Sequence, residues 1–238
     1  MSDLMSSART AVDLAKQAGA QDAWAAISRD RSVSFTYRDG KIEKVEESTS
    51  RGLGISVYVD GRYSTHSTTD LRPDRLASFI REAVALTRAL EPDPFRVIPD
   101  PALFKDRPTV DLERVDPAVG KLTREQREAW LAEMDARAHT DARVLSAESN
   151  LFSGESQGAS ASSNGFAGAW EGSYLGYSCT ATVREGEDKR PEGSAYAVGR
   201  FVQGLPAPAE VADLALQRAL SRLGSAKGPT VRTTMVVD

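Results

Sequence analysis

Cysteine and histidine are almost missing: in 238 residues there is one cysteine, Cys179, and there are two histidines, His66 and His139. A single thiol excludes an internal disulfide and suits a reducing compartment. A zinc site needs three or four ligands in characteristic spacing, and neither histidine has a His or Cys neighbour three to five residues away. His-Glu-x-x-His, Ser-x-x-Lys and the Gly-x-Gly-x-x-Gly loop are all absent. Cys179, inside an apparent strand in Tyr177-Ser178-Cys179-Thr180, has no cationic neighbour to lower its pKa and reads as a small buried hydrophobe. Basic excess is missing too. Lys and Arg total 30 against 34 Asp and Glu, for a net charge of −4, and no basic run occurs. That balance argues against nucleic acid or anionic lipid as a partner. No apolar run reaches the length of a membrane span, and residues 1–11 are polar without the apolar core of a leader. A cytoplasmic protein without a membrane partner is expected.

What is present is ordinary globular material, 40% hydrophobic and 27% charged, enough to build a core without staples. Helical spacing of Val12, Ala15 and Ala18 predicts a helix over 8–18, stopped at Gly19. Val33, Phe35 and Tyr37 alternate along a strand, and Asp39-Gly40 is a type I′ hairpin signal. Strands over 41–48 and 52–59 follow, then Asp60-Gly61 and a strand over 62–69. Gly52 and Gly54 read as tight strand entry. Pro73 opens a helix with Leu76, Phe79, Ile80, Ala83, Leu86 and Leu90 on its apolar face, and Pro92 ends it.

A proline-rich segment separates this from a second half of similar order. Thr123-x-x-Gln126 is a capping box before Trp130, Leu131 and Met134. Strands are expected over 144–153, 156–163, 172–184 and 194–201, with a turn at Asn164-Gly165, then a helix from Pro208 closed by Gly224. Leu53-Gly54-Ile55 and Leu175-Gly176-Tyr177 hold similar places in the two halves. The expected fold is therefore α+β: two similar helix–four-strand–helix units with antiparallel sheets, at 1–91 and 121–224, joined by a linker at 92–120. The apolar run from Thr230 to Asp238 has no strand after it, so residues 225–238 are expected to begin a further domain.

Chemistry is scarce. Glu43, Glu46, Glu47, Glu185 and Glu187 follow solvated patterns, and none is isolated in apolar surroundings that would raise its pKa. The small residues Ser160, Ser162, Ser163, Asn164 and Gly165 permit close approach of a neighbouring strand or chain, which makes them the candidate partner- or peptide-facing surface. No catalytic and no metal-binding residue is assigned.

Order and spacing point to a family. Asp39-Gly40-Lys41-Ile42-Glu43, then Arg51-Gly52-Leu53-Gly54-Ile55-Ser56-Val57-Tyr58, then Gly61-Arg62, Ser64 and Ser67-Thr68-Thr69-Asp70-Leu71 ahead of the Pro73 helix, resemble the N-terminal region of TldD/PmbA proteins. Ala89-Leu90-Glu91-Pro92-Asp93-Pro94 continues the likeness. Ser162-Ser163-Asn164-Gly165-Phe166 and Tyr177-Ser178-Cys179 are more similar to the PmbA (TldE) branch. The resemblance implies a cytoplasmic subunit of a TldD–TldE heterodimeric metallopeptidase that cleaves unfolded peptides. It places zinc in the TldD-type partner, on a His-Glu-x-x-x-His motif and a later cysteine, none of which this chain carries. It therefore implies a non-catalytic subunit with no cofactor of its own, whose partners are a TldD-like subunit and an unfolded peptide. A binding or assembly module of the same fold, without peptidase, is the alternative. The family's association with DNA gyrase sits poorly with the acidic balance.

Overall fold

The computed structural model describes residues 2–107 and 110–236. Asp39 and Gly40 have φ of 47° and 86°, and Asp60 and Gly61 have 50° and 70°. Left-handed backbone at both central residues makes the tight turns foreseen for these pairs. They join three strands, β1 (Asp22–Arg38), β2 (Lys41–Val59) and β3 (Arg62–Thr68), flanked by helices α1 (Ser2–Gln17) and α2 (Pro73–Arg88). A single 3₁₀ turn (Pro101–Phe104) and the short α3 (Pro117–Lys121) punctuate the proline-rich crossing. Then come α4 (Arg124–Ala138), β4 (Val144–Ser162), β5 (Ala167–Val183), β6 (Glu192–Gly199) and α5 (Pro208–Ser221). The Thr123 capping box is formed in full, with Gln126 N donating to Thr123 Oγ1 and Thr123 N to Gln126 Oε1.

Two expectations need correction. Each half contributes three strands, not four: 41–48 and 52–59 are one strand, as are 144–153 and 156–162. The halves also do not build separate sheets. All six strands form one antiparallel sheet in the order β3-β2-β1-β4-β5-β6, with β1 paired to β4 from Trp24–Ser162 to Arg38–Glu148. The apparent strand breaks have a physical cause. On β1, Ala23, Ala25 and Ile27 pack under α1 and α2, whereas Phe35, further along the same face, packs under α4 and α5. Between the two helix pairs no long helix covers β1 and β2, and Arg29 and Arg31 on β1 are exposed there, while the short α3 lies against β4. Apolar alternation lapses where no helix covers the strand, although the β1–β2 ladder runs on through Arg29–Arg51, Asp30–Ser50 and Arg31–Thr49.

Helix-side residues of both clusters fall at odd positions of β1 and β4, so all the long helices lie on one face. Gly193 lets α5 approach: a methyl group there would overlap the backbone of Ala215 and Ala219. Residues 225–236 form no regular element. The strand-like run expected over 230–238 is therefore absent as far as Val236, and Val237 and Asp238 lie outside the described residues. Among the described residues, no helix is long and apolar enough to cross a membrane.

Candidate functional site on the helix-free face

The even-numbered residues of the central strands face away from the helices. Around Ala26 and Ser28 of β1 they are small: Gly52 and Gly54 on β2, Ser67 on β3 and Ser160 on β4. These residues, with Thr69 and the indole of Trp170, line an open groove of about 610 Å³. Gly52 and Gly54 sit mid-strand rather than at a strand entry. An added Cβ would lie 3.7 Å from Thr68 O at Gly52 and 3.9 Å from His66 O at Gly54, ordinary contact distances. Their lack of side chains keeps the groove deep; packing does not demand it.

The wall beyond the groove is aromatic. Trp170 lies over Gly158, Tyr174 over Gly154 and Phe152 over Gly176, each a directly opposed β4–β5 pair. A ring that covers a glycine shields the ladder and extends apolar surface to solvent. Tyr196 and Val198 on the edge strand β6 continue this surface and are 75% and 55% exposed. Arg114 stacks on Trp170, its guanidinium carbon 5.4 Å from the ring centre.

The structure divides the five residues proposed from sequence as partner- or peptide-facing. Ser160 lies in the groove. The other four build the β4–β5 turn, and their polar groups are already engaged. Ser162 Oγ donates to Asn164 Oδ1 (2.5 Å) and accepts from Phe166 N (3.0 Å). Ser163 Oγ donates to Asp22 Oδ1 (2.7 Å) and accepts from Ala23 N (3.1 Å), tying the turn to β1. Asn164 Nδ2 donates to Pro99 O (2.6 Å), and Gly165, at φ 99°, supplies a left-handed turn position. Ser162, Ser163 and Gly165 also border a separate cavity of about 360 Å³ against Arg9, Asp13 and Lys16 of α1. The groove's other members were missed in sequence because they are unremarkable small residues spread over several strands. The alternation of glycine and serine at even positions of β2 and β4 was the available signal.

Among the described residues, Asp39, Asp135 and His139 bring one ligand atom each to within 4.8 Å of one another. They do not fit a zinc centre. Asp39 already accepts from Ala147 N (2.8 Å) and from Ser146 Oγ (2.9 Å), while His139 Nδ1 lies 2.9 Å from Asp135 O and leaves one ring nitrogen, against which Asp39 Oδ1 stands at 3.4 Å. The trio ties the β1–β2 turn to the C-terminus of α4. Burial pushes the Asp39 carboxyl up, but those two hydrogen bonds and His139 outweigh it and hold it below its ordinary value. Burial holds Asp135 above its own. His66 is spent elsewhere, with Nε2 2.7 Å from Ser64 Oγ and its ring edge-on to Phe79. Cys179 is fully buried on β5, and burial pushes its thiol up, away from nucleophilic use.

Comparison with known proteins agrees with this architecture. Residues 25–87 match the PmbA/TldA metallopeptidase domain 1, and residues 118–223 match the PmbA/TldA metallopeptidase central domain. The metalloprotease PmbA of Escherichia coli O157:H7 is 30% identical over 95% of this chain and 50% of its own length. A PmbA homolog of Haemophilus influenzae is 27% identical over 91% of the chain and 48% of its own length. The chain thus spans about half the length of these relatives. A crystal structure from Bacteroides thetaiotaomicron, described as a modulator of DNA gyrase, superposes with a TM-score of 0.88 at 28% identity, over 94% of this chain and 51% of that one. TldE of Thermococcus kodakarensis shares the fold, with a TM-score of 0.74 at 13% identity over 90% of this chain and 47% of that one. With both halves matched by models of one family, the chain belongs to the PmbA/TldD metallopeptidase family.

Proposed function

We propose that this chain is the N-terminal part of a non-catalytic, TldE-like subunit that holds unfolded peptide for a zinc-bearing TldD-type partner in the cytoplasm. The observation that carries the reading is the groove of about 610 Å³ on the helix-free face, floored by Gly52, Gly54, Ala26, Ser28 and Ser160 and walled by Trp170. A floor without large side chains admits an extended backbone, and an aromatic wall grips side chains without sequence preference. Such a surface suits a substrate defined by being unfolded rather than by sequence. Hydrolysis of a peptide at neutral pH needs an activated water or nucleophile. The one buried thiol and the Asp39–Asp135–His139 trio supply neither, so the chemistry is assigned to the partner and the holding to this chain.

The test is an assay on an unstructured peptide with this chain alone, with a TldD-type protein alone and with both. Chelator-sensitive cleavage only in the mixture is expected. Cleavage by this chain alone at the mixture's rate refutes the division of labour. Gly54→Val, which fills the groove, is expected to slow cleavage in the mixture while both chains remain folded.

A further inference from the structure

Arg127 of α4 is a buried cation with no carboxylate in direct contact among the described residues; Glu47 acts on it only from a distance. It is 6% exposed, and among the described residues its side chain makes one hydrogen bond, from Nη1 to Ser153 Oγ, at 2.7 Å. Among the described residues no carboxylate lies within ion-pair distance of it. A guanidinium presents five N–H donors, and burying its charge unpaired is costly. Burial and then the charge of Arg31 hold its pKa below the ordinary arginine value.

Arg127 borders a recess of about 30 Å³ beneath the middle of the sheet, shared with Arg31, Val119, Gly120, Ser153 and Glu155. Arg31 and Glu155 also line an outer cavity of about 270 Å³, completed by Arg29 and Gln157. The recess has room for a small group, since a cavity of about 10–15 Å³ on this measure already holds a water. Arg31 is already paired with Glu47, Oε1 lying 2.9 Å from its Nε. Glu155 stands opposite Arg31 in the β1–β4 register but makes no ion pair among the described residues. Gly120 makes room for it, because a side chain there would meet its Oε1 at 2.6 Å.

We propose that this recess between the two helix pairs is a carboxylate-binding site. A planar carboxylate accepts from the free N–H groups of Arg127, beside the Ser153 hydroxyl, and the rest of the ligand lies in the outer cavity over Arg29 and Gln157. The planar fork matches a carboxylate bidentately, and the small recess leaves less room for a bulkier tetrahedral oxyanion. The site lies on the helix side of the sheet, away from the groove, and does not depend on the peptide reading.

The experiment is calorimetric titration of the folded chain at fixed ionic strength with succinate, with a blocked tripeptide carrying one central Asp, and with succinamide as the uncharged control. Saturable binding of succinate or of the Asp peptide is expected, with none of succinamide. Preference for succinate identifies a free small acid as the source, and preference for the peptide an acidic side chain. Arg127→Gln is expected to weaken binding roughly tenfold or more, as loss of a charge-assisted hydrogen bond does. Glu155→Gln is expected to tighten it by removing a like charge at the mouth. Arg31→Gln, at an exposed position, is expected to weaken it and stands in if Arg127→Gln does not fold. Absence of saturable binding, or binding unaltered in the arginine variants, overturns the proposal. So does a Glu155→Gln variant that loses thermal stability, because Glu155 would then be the internal partner of Arg127.

Discussion

At the scale of residues, three glycines with the same chemistry do different work. Gly193 exists so that α5 can lie against β6, and the obstacles to a side chain there are the backbone atoms of Ala215 and Ala219, which cannot rotate away. Gly193→Ala is expected to lower stability by about 1–3 kcal/mol, the usual range for overpacking, measured as a fall in the urea midpoint. Gly52 and Gly54 meet no such obstacle. Gly54→Val is expected to leave the urea midpoint unchanged or raised, because a β-branched residue suits a strand. A loss as large as that of Gly193→Ala means Gly54 is structural. Asp39 gives a pH prediction. Its folded pKa is depressed, so its contribution is fully present above its unfolded value of about 3.8 and is lost as pH falls through the lower folded value. Asp39→Asn keeps a residue that tolerates the left-handed turn. The wild type's advantage over this variant is expected to be constant near neutrality and to shrink below about pH 3.8. An advantage that grows on acidification contradicts the assignment.

At the scale of elements, the proline-rich crossing is held by a few specific contacts rather than by its own secondary structure. The rings of Trp24 and Phe166 stack at 4.6 Å, and Phe104 meets both edge-on at 6.4 and 5.1 Å. Arg107 lies over Phe166, and its Nη2 donates to Ala167 O at 2.8 Å. Further on, Asp116 N donates to Ser173 Oγ at 2.7 Å, and Val202 N donates to the Asp116 carboxylate at 2.7 Å. Most of the crossing's other large apolar side chains are exposed, among them Phe95, Val97 and Leu103. Phe104→Ala is therefore expected to free the segment between α2 and α3 while the sheet persists. Limited proteolysis would show severalfold faster cleavage within residues 92–107, with an unchanged far-ultraviolet circular dichroism spectrum. Unaltered cleavage would mean that the hydrogen bonds alone hold the crossing.

At the scale of the whole molecule, the β1–β4 pairing decides how the chain unfolds. The two halves repeat one order of helix, three strands and helix, yet a long strand of each, β1 and β4, is bonded to the other across the centre. Separating the halves would leave β1 and β4 as long open edges and strip the ladder from both. One cooperative transition is expected in urea, with amides of β1 and β4 the slowest to exchange hydrogen. Two transitions, or protection of one half alone, would show that the halves are independent. The shared sheet also creates both surfaces discussed above: the groove on the helix-free side and the saddle between helix pairs on the other.

The sequence by itself determined the local pieces. Asp-Gly pairs set the hairpins because few other residues adopt two left-handed positions in succession. Apolar spacing marked the helices from Pro73, Thr123 and Pro208, and the order of motifs marked the family. The burial of Cys179 was also legible, since nothing near it in sequence activates a thiol. Tertiary structure alone decided the rest. Strand continuity through Glu46–Arg51 was hidden because alternation reports a covering helix, and none covers the sheet there. The merging of two expected sheets into one depends on β1 meeting β4, more than a hundred residues away, which no local pattern records. The groove draws its small residues from four strands, and the Arg127 recess joins two helices to two strands. A site made of ordinary residues far apart in sequence becomes visible only when pairing register and helix packing bring them to one place.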